Sequence, residues 1–595
     1  MKVKKTSEEK TKDLTEEIAK DKEKIEQLVK YKKRFEPRWY LSSAFWEGIH
    51  FTYGAKDKNG NWIRVPMPKG KILREIPKAK KQLRSIRNMI LKIKQKPVVY
   101  PDKNVILQVA DSAEKVEAEI DKSIKTSMTV EYYWNEVLKL QRHLKKLVRY
   151  GGMYGVAYIQ LLNEDEKLSL EVHDPFEISI YPTISSINEF PYFVKHVSKK
   201  ISDIKKSDMY NQSVISEIEK DMSEGRYSES QYKDSLMKER YGNPADGTVL
   251  IDELYELVKV SLDKDGEIVY DDELAKEEVE RVRIRSYIGT KRVREEMTNL
   301  TKLPISMFVW EDEAYAQSFL EELMPLNKAY DVFVSKLEQK VKKIDTGRFS
   351  IQKSEDAKVI TTNDGEFIRW KRNKPEVMRE GSVDRAFFEM IGLLERDIIQ
   401  QGVSVATGMG LPSGVEAWRA IETLKESDYA SIGTQVDNLR DCLVDLTEKL
   451  IEMLASDLTT AEQIQIPQGK GKSEVVNVIG KSGLDIREKK ETKENEVVLD
   501  PNQMVKVEEE SGLSWTEQGK KELVLKMVAE GLLPPETAIE MLKVGNTQEI
   551  IKKLKLAETE GRSIVDMAEF KMLPDDLQDA IAKYLSEGGR ISRGQ

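Results

Sequence analysis

A regular apolar seam between residues 432 and 453 constrains the fold more than any other stretch of the sequence. Apolar side chains recur there at alternating steps of four and three residues. This spacing places them on one face of an α-helix over several turns, where they must pack along another element. The seam consists of Ile432, Val436, Leu439, Leu443, Leu446, Leu450 and Met453.

A glycine-rich segment lies upstream of the seam and interrupts the helical pattern. Residues 402–414, GVSVATGMGLPSG, contain four glycines, which exclude one continuous helix through this stretch. Ser413 and Glu416 have the spacing of a capping box, so a long helix is predicted to begin near Trp418. The glycine spacing does not fit a dinucleotide-binding loop and no strand precedes it, which excludes a Rossmann-type site.

Two further helices with apolar repeats precede this loop. One ends near Gln401, and the other spans residues 316–344 and would be about 40 Å long if straight. Each carries a single apolar stripe, and long helices of this kind need neighbours to bury the stripe. The apolar positions are Phe387, Ile391, Leu394 and Ile398 on the first helix, and Leu326, Tyr330, Phe333, Leu337, Val341 and Ile344 on the second.

A compact β-rich stretch, residues 345–381, separates these two helices. The segments RFSIQ, AKVITT and EFIRWK have strand composition, and Asn363-Asp364-Gly365 predicts a hairpin turn between the last two. The cluster that follows this turn is interpreted either as a docking patch for a partner or as a solvated hairpin. Its residues are Arg369, Trp370, Lys371, Arg372 and Lys374.

Length and composition predict a helix-rich protein with several domains. The chain has 595 residues, of which 39% are hydrophobic and 34% charged, and this length exceeds what one hydrophobic core usually supports. No run approaches the roughly 18 apolar residues of a membrane span, so we expect a soluble protein without membrane contact. The formal net charge of −8 argues against a protein whose main task is to hold nucleic acid through phosphate contacts.

Catalytic and metal chemistry find little support in the sequence. Cys442 is the single cysteine, and a packed side chain in the seam helix explains it better than a nucleophile does. The four histidines have no metal-ligand spacing, and His173-Asp174 lacks an accompanying serine or cysteine motif. Gly-Lys-Ser occurs at 471–473 and 480–482 without the first glycine of a P-loop. We therefore expect no enzyme activity, no bound metal and no cofactor.

Two charged segments occur near the N-terminus. Residues 6–35 are dense in lysine and glutamate and predict a solvated, amphipathic helical arm. From Lys69 to Lys96, basic residues recur at almost every second or third position around an apolar stripe, and Glu75 is the only acid. This segment is interpreted as a contact with DNA or with an acidic partner surface, or as the solvated face of a buried helix.

The middle of the chain predicts a helix followed by antiparallel strands. An amphipathic helix over 129–150 leads through a Gly-Gly turn into the strands GVAYIQL and KLSLEV, and the second strand ends at His173-Asp174-Pro175. Residues 200–247 are polar and are interpreted as a surface insertion. Strands resume from 249 to 297 as an antiparallel meander, and the portion from 513 onwards predicts a bundle of short helices.

The order of these elements resembles the portal proteins of tailed bacteriophages. The resemblance rests on the helix, β-rich stretch, helix, glycine-rich loop and long helix of the central region, and on the earlier helix, Gly-Gly turn, strand pair and Asp-Pro turn. It implies an α+β portal fold that assembles into a dodecameric, ring-shaped homo-oligomer. The implied regions are a charged arm at 1–35, a β-rich wing at 36–315, a first stem helix at 316–344, an α/β clip at 345–381, a second stem helix at 382–401, a tunnel loop at 402–414, a long wing helix with a β-rich return at 415–512, and a helical crown at 513–595.

The resemblance also implies a function and its sites. A portal ring occupies one vertex of the capsid in the virion, nucleates head assembly in the bacterial host cytoplasm and docks the terminase large subunit. It passes double-stranded DNA during packaging and ejection, contacts major capsid and scaffolding proteins, and seats the head-tail adaptor. The implied clip docking residues are the Arg369 to Lys374 cluster given above. The implied DNA-facing tunnel loop is Val403, Ser404, Val405, Ala406, Thr407, Gly408, Met409, Gly410, Leu411 and Pro412.

Two alternatives belong to other classes of protein. The first is another structural virion protein, such as an adaptor or a scaffold, against which the length and the helix, clip, helix order argue. The second is a DNA-processing terminase or nuclease component. That protein would need a Walker motif or a carboxylate cluster held on a sheet, and the sequence shows neither.

Overall fold

The computed structural model describes the chain in segments separated by gaps. These residues combine α-helix with mostly antiparallel sheet, as expected for an α+β chain. They belong to two compact units, one formed by Met1–Lys92 and Pro97–Val507 and the other by Ile93–Lys96 and Glu508–Gln595. The described residues are 7–57, 60–66, 73–100, 113–164, 167–224, 247–262, 268–269, 277–346, 348–350, 358–362, 365–369, 376–378, 383–401, 432–467, 473–486, 496–501, 503–509, 539, 570–573 and 575–586.

The helices and strands are numbered in chain order. The α-helices are α1 Ser7–Lys33, α2 Glu36–Glu47, α3 Lys78–Ile90, α4 Ala113–Tyr132, α5 Leu140–Tyr154, α6 Ile201–Ile204, α7 Gln212–Ser223, α8 Phe319–Thr346, α9 Arg385–Gln400, α10 Gly433–Asp457, α11 Lys481–Ile486 and α12 Asp575–Ser586. The strands are β1 Thr52–Lys56, β2 Trp62–Arg64, β3 Gln95–Tyr100, β4 Val156–Glu164, β5 Lys167–His173, β6 Ile178–Ser179, β7 Tyr192–Lys200, β8 Thr248–Leu262, β9 Ile268–Val269, β10 Glu277–Ile288, β11 Lys291–Met297, β12 Ile305–Val309, β13 Arg348–Ser350, β14 Lys358–Thr362, β15 Gly365–Arg369, β16 Glu376–Met378, β17 Glu462–Pro467, β18 Ser473–Gly480, β19 Glu496–Leu499 and β20 Met504–Glu509. Within the described segments, no helix is long and apolar enough to span a bilayer.

Three sheets form the body of the larger unit. In the first, β4 lies between β12 and β5, and both pairings are antiparallel. The second has the order β11, β10, β8, β7 and β6, and β9 pairs with β8. In the third, β18 pairs antiparallel with β17 and parallel with β19. These pairings confirm the predicted strand pair before the Asp-Pro turn, the predicted meander and the predicted hairpin around the first Gly-Lys-Ser.

The apolar seam is buried inside the larger unit along the length of α10. Its seven side chains are between 0% and 5% exposed. The helix packs against β12 and β4, and also against β18, β19 and α11. At Gly480 a Cβ would lie 2.5 Å from the carbonyl oxygen of Ala455, so only glycine lets β18 approach the helix this closely. The seam therefore finds its neighbours within the chain, which confirms the prediction that it packs along another element.

The helix predicted over 129–150 is interrupted. α4 ends at Tyr132, a π-helical turn covers Tyr133–Val137, and α5 begins at Leu140. Between them Lys139 has a φ of 49°, in the left-handed region that a lysine rarely adopts. The prediction of one continuous helix is therefore wrong. The break was not predicted because no glycine or proline marks it in the sequence.

The sequence predicted a turn at the Gly-Gly pair, and this prediction is wrong. Both glycines lie in the last turn of α5. A Cβ on Gly151 would lie 2.4 Å from the Phe308 ring, and a Cβ on Gly152 would lie 2.2 Å from a methyl group of Leu83. The two glycines therefore serve close packing of α5 against β12 and α3.

Part of the polar segment 200–247 belongs to a core. α6 and α7 bury apolar side chains in a cluster with residues of β8, β10 and β11. The interpretation of this segment as a surface insertion is therefore wrong for α6 and α7, whereas residues 225–246 lie outside the described residues. The buried side chains from the segment are Ile201, Ile204, Tyr210, Ile215 and Ile218.

The N-terminal helix is docked on the second sheet and is not a solvated arm. Ile25 and Leu28 of α1 are buried in a cluster with Val194, Leu254 and Tyr287. These three residues come from β7, β8 and β10. The prediction of a helix for this segment is confirmed, but the expectation that it is solvated is wrong for its described inner face.

A buried charge network joins the same helix to the sheet. The Arg285 side chain is 1% exposed and lies 2.7 Å from Asp21 and 2.8 Å from Glu17. Arg285 also pairs with Glu256, and Glu17 pairs with Arg292 at 3.1 Å. Burial raises the pKa of Asp21 above its ordinary value. Each charge in this network depends on the others, because an unpaired buried charge costs several kcal/mol.

The smaller unit is described over a short part of its length. A 3₁₀ turn at Phe570–Met572 precedes α12. α12 confirms the last of the short helices predicted for the C-terminal portion, and most of that portion lies outside the described residues. The buried apolar side chains in this unit are Ile539, Phe570, Leu573, Leu577 and Ile581.

Removing the central arginine of the charge network tests how strongly α1 is held. Arg285→Met leaves the buried Asp21 carboxylate without its ion-pair partner, whereas Glu256 keeps Lys24 and Arg283, so we expect the free energy of unfolding to fall by about 3–5 kcal/mol. Urea unfolding followed by tryptophan fluorescence measures this loss, and limited proteolysis of α1 should become faster. Arg281→Met, on the same strand but outside the network, is the control. An equal loss in both variants would contradict the proposed role of the network.

Candidate functional site

The two helices that flank the small β module pack against each other. Tyr330 of α8 is buried with Leu394 and Ile398 of α9. Farther along, the ring of Phe333 lies 6.1 Å from that of Phe387. Later residues of α8 thus meet earlier residues of α9, and the two helices run antiparallel. This confirms the predicted pair of helices on either side of the β-rich stretch.

A buried polar network attaches α8 to the segment before α3. Asp331 is 0% exposed and accepts a hydrogen bond from the Ile76 backbone N–H at 2.9 Å. Its second oxygen lies 2.5 Å from His50 Nδ1 and 3.2 Å from Asn327 Nδ2. Asn327 in turn accepts from the Ala79 backbone N–H at 2.8 Å. The network fixes the start of the basic helix against α8, and no sequence pattern connects these distant residues.

Two ion pairs hold the same segment to both helices of the pair. Arg74 lies 2.7 Å from Glu338 of α8, and Lys78 pairs with Glu395 of α9. The Arg74 side chain is mostly exposed, so solvent screens this pair and it contributes little to stability. α3 is therefore placed against the helix pair mainly by the buried Asp331 network.

The helix pair also carries apolar side chains that are substantially exposed. Phe388 is 56% exposed, although its neighbour Phe387 is partly buried against α8. The other exposed apolar residues are Val341 at 49%, Leu393 at 48% and Met390 at 40%. An apolar face of this kind on a long helix marks a surface that another protein can cover. We call these four residues the outer apolar face.

The module between the two helices consists of two strand pairs. β13 pairs antiparallel with β16, and β14 pairs antiparallel with β15. Thr362 lies opposite Gly365, which confirms the predicted hairpin with its two-residue connection. Each pair is short, and the two are separate two-stranded sheets within the described residues.

The predicted site residues lie mostly outside the described part of the chain. Arg369 is at the end of β15, opposite Lys358. Four further predicted docking residues, Trp370, Lys371, Arg372 and Lys374, and the whole predicted loop from Val403 to Pro412 lie outside the described residues. Their roles therefore stay predictions.

A polar cleft of about 1480 Å³ lies between the first and second sheets. Lys195 is buried at its wall and bonds to Gln160 at 2.8 Å and to Glu171 at 3.1 Å. His173 lies 2.7 Å from Glu177, and Asp174 caps its own turn through the Phe176 backbone N–H. The Asp174 carboxylate thus serves the turn, as its proline indicated, whereas Gln160 Nε2 and His173 Nε2 are buried without a hydrogen-bond partner among the described residues.

The single cysteine and the acidic side chains offer no reactive centre in the described structure. Cys442 is buried in α10, and burial raises the pKa of its thiol well above the ordinary value. A thiol of this kind is a packed side chain with little nucleophilic character. Among the described residues, no group of three or more His, Cys, Asp or Glu side chains could hold a metal ion.

No protein-family model matches this chain, and no curated protein matches it. Inference about its function therefore depends on the packing and exposure of its own residues.

The buried Asp331 network predicts that the protein loses stability when the Asp331 carboxylate is removed. Asp331→Ala removes the acceptor for the Ile76 N–H and for Asn327, so we expect the free energy of unfolding to fall by about 3 kcal/mol, at about 1–3 kcal/mol for each unsatisfied group. Thermal unfolding followed by circular dichroism measures the loss. Glu338→Ala removes only exposed ion pairs, to Arg74 and to Lys342, and should cost much less stability than Asp331→Ala. A larger loss for Glu338→Ala would contradict this account.

Proposed function

We propose that this chain is a portal-like subunit that forms a ring and conducts double-stranded DNA through it. In this proposal the ring sits at one capsid vertex, nucleates head assembly, docks the terminase motor at the β module and seats the head-tail adaptor. The support comes from the order of elements: α8, the module of β13 to β16, α9, and the long α10 after the intervening loop.

The observation that carries the proposal is the outer apolar face of the helix pair. α8 and α9 bury one side of each helix against each other and against the segment before α3. The two helices keep four large apolar side chains between 40% and 56% exposed. Covering the exposed half of one such side chain contributes on the order of 1 kcal/mol. A copy of the chain on each side of every subunit would cover this face repeatedly around a ring.

The burial of α10 limits which helices can form the proposed contact between subunits. Because its seam is covered by β12, β4, β18 and β19 of the same chain, that seam is not available to a neighbour. Self-association is therefore expected at α8 and α9. This places the predicted loop, which follows α9 directly, next to the ring axis in the proposed assembly.

Substitution of the outer apolar face tests the ring. For the wild-type protein we expect a mass several times that of the 68.4 kDa chain, and closed rings in negative stain. Phe388→Ser with Leu393→Ser should shift the mass towards one chain, because each subunit contact loses apolar burial on the order of 2 kcal/mol. Light scattering measures the mass.

The matched control changes two equally exposed apolar residues elsewhere. Met209 and Ile63 are each 42% exposed and lie outside the helix pair. Met209→Ser with Ile63→Ser should leave the ring mass unchanged. If the wild-type chain forms no ring at any concentration or with scaffolding protein, or if both variants lose the ring equally, the proposed assembly is wrong.

A deletion tests the predicted tunnel loop separately from the ring. Removing residues 405–410 should leave ring mass unchanged and should abolish protection of DNA from nuclease in a packaging assay, because the weakly charged loop would no longer reach the duplex. A variant in which the same six residues are replaced by glycine and serine controls for loop length. Loss of rings on deletion would instead place this loop in the subunit contact and would contradict its role as a tunnel loop.

A further inference from the structure

Six cations form a continuous basic stripe on two packed helices. Three lie on α3 and three on α5, and the two helices contact each other. On each helix they follow steps of four and three residues, which places them on one side. The side opposite is buried, with Leu83 and Ile86 on α3 and Leu144 and Leu147 on α5. This stripe, the α3–α5 basic face, consists of Lys80, Arg84, Arg87, Arg142, Lys146 and Arg149.

None of these six side chains forms an ion pair with a carboxylate among the described residues. Lys80 donates to the Trp46 backbone carbonyl at 2.6 Å, and Lys146 donates to the Val172 carbonyl at 2.8 Å. Arg87 donates to the neutral amide of Asn88 at 3.0 Å. These neutral acceptors orient the cations and leave their charge uncompensated. Such a face is unusual on a chain whose formal net charge is −8.

The cations lie close enough to repel one another across the two helices. Desolvation lowers the pKa of Arg87, and the charges of Arg149 and Arg84 lower it further. Desolvation and Arg84 likewise lower the pKa of Lys80. Neighbouring cations repel one another unless other contacts hold them in place. A partner with closely spaced negative charges would reduce this repulsion on binding.

Aromatic rings hold the cations in place along the stripe. Trp46 lies beneath both Lys80 and Arg84, at 4.9 Å and 5.5 Å from the ring centroid. Tyr150 lies beside Lys146 and Arg149, at 5.3 Å and 5.0 Å. Such cation-π contacts contribute about 0.5–1 kcal/mol each at exposed sites and limit the motion of the charged groups. The stripe is thus ordered before any partner binds.

Two carboxylates lie near the face but are engaged elsewhere. Glu47 accepts a hydrogen bond from Trp62 Nε1 at 2.6 Å. Asp174 shares a cavity of about 370 Å³ with Arg149 and accepts from the Phe176 backbone N–H at 3.0 Å. Neither forms an ion pair with the basic face, so the stripe keeps its positive charge.

We propose that the α3–α5 basic face binds the phosphate backbone of double-stranded DNA without reading its sequence. The planar guanidinium group of arginine can donate two hydrogen bonds to the oxygens of one phosphate. On α5, the three cations of the face extend over about 10 Å of helix. Duplex DNA carries one charge per about 1.7 Å of its axis, a density that can neutralise neighbouring cations together. The carboxylates of an acidic protein surface are rarely so closely spaced, which favours nucleic acid as the partner.

This binding is separate from the proposed channel. The face belongs to α3 and α5, whereas the proposed ring contact belongs to α8 and α9 and the predicted tunnel loop follows α9. The face can therefore hold DNA whether or not the chain forms a ring. In a ring, it would give each subunit a second DNA contact away from the loop.

Salt dependence of DNA binding tests the proposal. A fluorescently labelled duplex of 30 base pairs is titrated with the full chain between 50 and 200 mM salt, and anisotropy gives the affinity. Six phosphate contacts predict a slope of log affinity against log salt of about −5. Arg84→Gln, Arg87→Gln and Arg149→Gln together should reduce the slope by about 3 and the affinity at 0.1 M salt on the order of a hundredfold. A duplex of unrelated sequence should give the same values.

Two further variants make the result specific. Lys206, Lys220 and Lys259 are exposed and lie outside the face, so changing all three to glutamine gives an equal loss of charge as the control. Should the first triple variant unfold, Arg84→Gln, Arg142→Gln and Lys146→Gln change only exposed residues of the face. Light scattering on each variant reports the oligomeric state at the same time.

Three outcomes would overturn the proposal. The first is an unchanged slope in the face variants, or an equal loss in the control variant. The second is stronger competition by polyglutamate than by unlabelled duplex, which would make an acidic protein the partner. The third is a loss of ring mass with unchanged DNA affinity, which would make the face a subunit contact. A monomeric chain that shows the predicted slopes would support this inference independently of the proposed ring.

Discussion

The burial of α10 is the interaction on which the larger unit depends. Its seam is covered by the first and third sheets, and its polar side chains tie it to the same strands. Lys449 donates to the Ile305 carbonyl at 2.6 Å and Asn438 donates to the Val309 carbonyl at 3.2 Å, both at the ends of β12. Thr301 hydrogen-bonds Glu452 of the same helix at 2.7 Å through its hydroxyl. A helix bound in this way by apolar and polar contacts leaves α8 and α9 as the paired long helices with a large uncovered apolar surface.

Local patterns predicted most of the elements, because they depend on neighbours in sequence. The strand pair around the Asp-Pro turn, the meander, the hairpin of β14 and β15 and the helices on either side of it all follow from periodicity and turn residues. The break at Lys139 was missed because its left-handed conformation has no local signal in the sequence. The core formed by α6 and α7 was missed because a few isoleucines in a polar stretch give a weak pattern.

The candidate surfaces were harder to predict, because exposure is a property of the assembled chain. Phe387 and Phe388 are adjacent and chemically identical, yet one packs on Phe333 and the other faces outward. The basic character of α3 was evident from composition, whereas its continuation through Arg142, Lys146 and Arg149 required the contact between α3 and α5. Spacing of four and three on α5 was a signal that sequence analysis could have used. The sequence contains no signal for the Asp331 network, since His50 and Asp331 are 281 residues apart.

The docking of α1 has a consequence for synthesis on the ribosome. Glu17 pairs with Arg292, which lies 275 residues later in the chain. At about 5–20 residues per second, roughly 15 to 55 seconds pass between the synthesis of these two residues. During that interval Ile25 and Leu28 have no sheet to cover them. α1 therefore leaves the ribosome well before the sheet that covers it, and until then its apolar side chains are a natural target for chaperones that bind nascent chains.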